Sequence, residues 1–158
     1  MAPRRAAAAM LYFAHMAREA QLQLLSSYEN IELAERALVE LCSSAQVEEE
    51  TTYWVGMALR EALANAIKHG NKLNPDKRVF VRMRVLPAGE LKIEVEDEGD
   101  GFDPGRVVDP TSPDNLLRSS GRGVFYMRQF MDEVRFRAGE RGGTHIELIK
   151  RIGPRRAQ

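Results

Sequence analysis

Two periodicities divide the chain. Across 29–45 the apolar positions Ile31, Leu33, Ala34, Leu38, Leu41 and Cys42 recur at near-helical spacing, which predicts an amphipathic helix. A second helix is predicted from about Glu48 to Lys68. Ala58, Leu59, Ala62, Leu63, Ala66 and Ile67 form its apolar arc, and His69-Gly70-Asn71 supplies a C-terminal glycine with a nearby cation. The pattern then changes to period two. Val79, Val81, Met83 and Val85 alternate with Phe80, Arg82 and Arg84, Pro87-Ala88-Gly89-Glu90 turns the chain, and Leu91, Ile93 and Val95 alternate with Lys92, Glu94 and Glu96. That reads as an antiparallel hairpin. A segment rich in Gly, Pro, Asp and Ser runs from Glu98 to about Gly123, a length that usually signals function. A short helix over 124–131 follows. A second hairpin closes the pattern, with Val134 and Phe136 before the Gly142-Gly143 turn and Thr144, Ile146 and Leu148 after it.

This order predicts an α+β fold: a two-layer sandwich of a mostly antiparallel mixed sheet with helices packed on one face. Residues 1–20 read as a loose Ala/Arg-rich lead-in, 21–152 as one domain and 153–158 as a basic tail. The length of 158 residues fits a single domain. With 23 Lys plus Arg against 23 Asp plus Glu, the chain lacks the electrostatic footprint of a nucleic-acid binder. The single Cys42 excludes an intramolecular disulfide and a multi-cysteine metal site, and fits a reducing, cytoplasmic setting. Arg4-Arg5 and the alanines after them imitate an export signal. Alanine is a weak hydrophobe, however, His15 interrupts the stretch, and no small-x-small cleavage site follows. No stretch approaches the ~20 apolar residues of a membrane span.

Three groups of residues carry candidate chemistry. Glu61, Asn65 and Lys68 stand at i, i+4 and i+7 on one flank of the second helix, where a carboxylate, a carboxamide and an amine could serve a metal-phosphate group. Taken alone, that flank reads more readily as a solvated face. Asp97 continues the inward series Leu91, Ile93, Val95, so the pleat turns a carboxylate toward the core, where it needs donors to remain ionised. Gly99 and Gly101 directly after it permit close backbone approach. Thr144 points inward from the last strand, and two polar groups there could read the edge of a purine. Finally, Ser119-Ser120-Gly121-Arg122-Gly123 precedes a helix, an arrangement that offers backbone N–H groups to an anion.

In this order the motifs resemble the GHKL superfamily of ATP-binding proteins over about residues 22–150. Glu61-Ala-Leu-Ala-Asn65-Ala-Ile-Lys68-His69-Gly70-Asn71 is similar to its N box. Asp97-Glu-Gly99-Asp-Gly101-Phe102 is similar to the first glycine box, and Gly121-Arg122-Gly123-Val124 to the second. Glu61 four before the Asn and the run from Gly121 to Val134 narrow the resemblance to the anti-sigma-factor serine/threonine kinases of partner-switching pathways. The resemblance implies a Bergerat (histidine-kinase-like ATPase) fold, ATP and Mg²⁺, and phosphorylation of a serine on a STAS anti-anti-sigma protein. A sigma factor or other regulator is a further implied partner, and a homodimer is consistent with it. By the same resemblance Glu61 is the general base and Asn65 the Mg²⁺ ligand. Asp97 accepts from the adenine amino group with Thr144 close by, Gly99 and Gly101 line base and ribose, and Gly121 and Gly123 meet the phosphates. Arg118 and Arg122 are both candidates for the terminal phosphate, while Lys68, His69, Gly70, Phe102 and Val124 line the nucleotide within the boxes. Two other readings compete: a catalytically weak ATP-binding module that sequesters its partner, and a histidine-kinase-like ATPase domain.

Overall fold

A computed structural model describes residues 10–13, 18–101 and 122–153 of the chain. Its strands are β1 (Met10–Phe13), β2 (Glu19–Leu25), β3 (Arg78–Leu86), β4 (Glu90–Asp97), β5 (Glu133–Ala138) and β6 (Thr144–Arg151). Its helices are α1 (Ile31–Ser44), α2 (Glu49–Asn65) and α3 (Arg122–Phe130). The six strands form one sheet in the order β1-β2-β3-β4-β6-β5. Every pairing is antiparallel, so the parallel component of the expected mixed sheet is absent among the described residues.

The sheet also begins earlier than expected. Met10–Phe13 pairs with β2 as an edge strand, and it lies inside the segment read from sequence as a loose lead-in. In β2 the alternation of Ala20, Leu22 and Leu24, all buried, with Glu19, Gln21 and Gln23 is the ordinary signature of a half-buried strand.

One face of the sheet is apolar and carries the helices. Val79, Val81 and Met83 from β3, Leu91, Ile93 and Val95 from β4, and Ile146 and Leu148 from β6 meet Leu38 and Leu41 of α1, Leu59 and Leu63 of α2 and Met127 of α3 in a single core. Cys42 is buried in that core, where desolvation raises its thiol pKa. The opposite face is charged. Arg84 pairs with Glu94 at 3.2 Å, and Lys92 and Arg135 reach Glu147 at 3.1 and 3.2 Å. Opposite charges on neighbouring strands let that face meet water without cost from like-charge contacts.

α2 does not stop at Asn65. Its last turn widens over Ala66–Gly70, where the Asn71 N–H donates to the Ala66 carbonyl at 2.8 Å, an i→i−5 bond. Such π-helical turns are rare and concentrate at functional sites. The left-handed residues that reverse the chain come later, at Lys72 (φ 52°) and Leu73 (φ 59°). Gly70, expected as the helix-ending glycine, therefore serves another purpose.

Candidate functional site

That purpose is contact with Asp97. The carboxylate ends β4 on the core side and is 2% exposed. A Cβ added to Gly70 would lie 2.3 Å from Asp97 Oδ2, one on Gly99 would fall 2.8 Å from Oδ1, and one on Gly143 would fall 2.2 Å from Oδ1. Glycines from the end of α2, the loop after β4 and the β5–β6 turn thus close on one side chain, and no larger residue fits at any of the three. The Gly99 and Thr144 N–H groups donate to Oδ1 at 2.9 and 3.2 Å. Among the described residues both donors go to Oδ1 and none to Oδ2. Burial pushes the Asp97 carboxyl above its ordinary pKa; the two N–H donors oppose that rise, and the Glu96 charge adds to it. A buried acid whose second oxygen meets no donor among the described residues, in a cradle of bare backbone, fits a ligand that brings an N–H.

Asn71 fixes the cradle. It is fully buried, its Nδ2 donates to the Arg78 carbonyl at 2.9 Å, and its Oδ1 accepts the Glu98 N–H at 2.9 Å. One carboxamide so ties the end of α2 to the starts of β3 and of the loop after Asp97.

The second part of the site lies along α2. Glu61 and Asn65 share a flank and are half-buried. Gly123, buried in the first turn of α3, packs directly on them: a Cβ there would lie 2.9 Å from Glu61 Oε2 and 3.4 Å from Asn65 Nδ2. The structure therefore brings Glu61, Asn65 and Gly123 together as one group, and Asp97, Gly70, Gly99 and Thr144 as another. Thr144 contributes its main-chain N–H. Gly101 adopts φ 130°, and a Cβ there would lie 3.6 Å from the Gly142 carbonyl, so it borders the same turn. Val124 is half-buried on α3. Lys68 and His69 are exposed on the widened turn; desolvation and the neighbouring Lys68 charge lower the His69 pKa. Phe102, Arg118 and Gly121 lie outside the described residues, and of Arg122 only the backbone, opening α3, is described. Gly143 and Asn71 are the site residues that sequence reasoning missed as such. A Gly-Gly pair reads as an ordinary hairpin turn, and only the preceding inward Asp97 hinted that a neighbour must be bare.

Fold and site together define an ATPase-type domain. A model of the histidine kinase-like ATPase domain family matches residues 24–150, and the chain belongs to that family. The resemblance to the GHKL superfamily therefore holds, and ATP is the nucleotide that the family implies. The chain is similar to the anti-sigma F factor of Bacillus cytotoxicus, 31% identical over 139 residues that make up 85% of this chain and 93% of the relative. It is also similar to that of Heyndrickxia coagulans, 36% identical over 100 residues, 61% of this chain and 67% of the relative. Among solved structures, the RsbU and RsbW domains of a Mycobacterium tuberculosis protein match 87% of this chain and 34% of that one, with a TM-score of 0.58 at 17% identity, a likeness of fold. The blue-light activated histidine kinase of Erythrobacter litoralis matches with a TM-score of 0.51 at 25% identity; the match covers 67% of this chain and about a third (32%) of that kinase. Among the described residues no helix is long and apolar enough to cross a membrane.

Proposed function

We propose that the chain is an ATP-dependent serine protein kinase and anti-sigma-type regulator of the cytoplasm, phosphorylating a serine of a STAS anti-anti-sigma partner. The observation that carries this reading is the side-by-side placement of two groups. One is a buried acid in a glycine cradle suited to a purine amino group; the other is a carboxylate and a carboxamide against the N-terminal turn of α3. In it, Asp97 Oδ2 accepts from the adenine amino group while Oδ1 stays held by Gly99 and Thr144. The carboxamide oxygen of Asn65 holds Mg²⁺, which supplies charge neutralisation at the phosphates when bound. Glu61 takes the proton of the acceptor hydroxyl as the serine oxygen bonds to the terminal phosphorus. The bond to the bridging oxygen breaks, and ADP leaves with that electron pair. Such transfer depends mainly on positioning and electrostatics, which suits a site with few chemical groups of its own.

The kinship with anti-sigma F factors supports a second reading in which the chain holds a sigma factor and transfers phosphate slowly or never. Incubation with labelled ATP and a panel of STAS proteins, followed by mapping of the labelled residue, separates the two. Labelling of one serine, lost in Glu61→Ala, is the expected result. ATP binding without any labelled serine rejects the kinase and leaves the sequestering module.

A further inference from the structure

The sheet face turned away from the helices holds buried polar groups that the nucleotide reading does not use. Glu96 and His145 are each 6% exposed. Glu96 precedes Asp97 on β4, so the pleat aims it to the opposite face. Its Oε1 accepts the Arg141 main-chain N–H at 2.9 Å, and its Oε2 lies 3.3 Å from the Arg141 guanidinium and 3.4 Å from His145 Nδ1. The Arg141 guanidinium in turn lies 3.8 Å over the Phe80 ring. A Cβ added to Gly139 would sit 2.9 Å from Glu96 Oε1, so the carboxylate packs against bare turn backbone. The turn closes on itself through the Gly139 N–H, which donates to the Gly143 carbonyl at 2.8 Å.

Nearby, Glu94, His145 and Glu147 stand close enough to hold a cation. Arg84, Lys92 and Arg135 already neutralise those two glutamates at 3.1–3.2 Å, so a metal there is redundant. The Glu96 contacts are different in kind, because all but His145 belong to the single turn that also serves Asp97. Residues 139–143 are tied to Glu96 on the open face. The next N–H along the chain, that of Thr144, is delivered to Asp97 on the core face.

We propose that Glu96 is a positioning residue that, by clamping the 139–143 turn from the open face, sets Gly143 and Thr144 against Asp97 and thereby fixes base selectivity at the nucleotide site. This rests on the reading of Asp97 as the acceptor for adenine. The charge of Glu96 is locked by a guanidinium and an N–H from the turn, so the turn cannot shift without stranding a buried carboxylate. A shift would withdraw the Thr144 donor, free Asp97 to rotate, and cost affinity where the base is read.

The test compares binding of ADP and inosine diphosphate, which has a carbonyl in place of the adenine amino group, to wild type, Glu96→Leu and Glu96→Gln. In Glu96→Leu that still melts cooperatively, ADP affinity should fall about tenfold and inosine diphosphate affinity by less than about twofold, so discrimination collapses. Glu96→Gln should restore most of it, since an amide oxygen still accepts the Arg141 N–H. An unchanged ratio in folded Glu96→Leu overturns the clamp. If Glu96→Leu does not fold, Gly139→Ala presses on the carboxylate and moves the same turn; an unchanged ratio there overturns it equally. Wild type that binds both nucleotides alike rejects the adenine reading of Asp97 itself, a separate and recognisable failure.

Discussion

Asp97 and Glu96 are neighbours on β4, both buried and both carboxylates, and the fold treats them in opposite ways. Burial works to raise both pKa values. At Glu96 the Arg141 N–H, His145 and the Arg141 guanidinium outweigh it and hold the carboxyl below its ordinary range. At Asp97 two N–H groups on one oxygen do not, and the carboxyl stays above its ordinary range. A fully compensated acid holds structure together. An under-compensated one stores free energy that a ligand can release, the pattern expected of a binding site.

The largest effect should come from removing chemistry while leaving both carboxylates alone. Glu61→Ala should lower phosphotransfer by about 10²- to 10⁴-fold in single-turnover assays, with ADP affinity within a factor of about two. Normal turnover in that variant would remove the base from the mechanism. Next, Gly143→Ala places a methyl 2.2 Å from Asp97 Oδ1 and 2.3 Å from the Asp97 carbonyl oxygen, so the backbone itself must move. Denaturant unfolding should register a loss of about 2–3 kcal/mol, and nucleotide binding should weaken with it.

Asp97→Asn sharpens the contrast further. The amide oxygen can keep the Gly99 and Thr144 bonds while the buried charge disappears. At pH 7 the nucleotide-free protein should become more stable by on the order of 1 kcal/mol, even as it loses adenine binding. The sign of its pH dependence follows from the raised carboxyl. The folded state favours the proton more than the unfolded chain does, so ionised Asp97 costs stability above its folded pKa and costs nothing below the ordinary carboxylate range. The gap between wild type and Asp97→Asn should therefore close on acidification. Glu96 runs the other way: its contribution is present above the ordinary carboxylate range and is lost as pH falls through its lowered pKa. Parallel pH trends for Asp97→Asn and Glu96→Gln would contradict the assigned environments. The smallest effect belongs to His69→Ala, an exposed site that should change unfolding free energy by less than about 0.5 kcal/mol.

Much of this was legible from periodicity. The inward step that placed Asp97 and the i, i+4 spacing that paired Glu61 with Asn65 are both properties of a single element, and both hold in three dimensions. What local pattern could not supply is the identity of neighbours far along the chain. Glu96 looked like one more outward polar residue of an alternating strand, because Arg141 and His145 reach it across 45 and 49 positions. Gly143 looked like turn filler for the same reason. β2 is a different case: its alternation was present, but the alanines before it suggested a loose lead-in, and the sequence directly ahead of it carries no Gly, Pro, Asn or Asp turn signal to separate two strands.

The three glycines that close on Asp97 stand at positions 70, 99 and 143, on segments that meet only when the helical layer, the central hairpin and the last hairpin have all docked. A partly assembled chain therefore has no closed cradle around Asp97. Ligand occupancy becomes a reporter of complete folding, and at a hundred times its dissociation constant the nucleotide should add about 2.7 kcal/mol to the finished fold alone. Nucleotide supply would then bear on how long the folded chain persists.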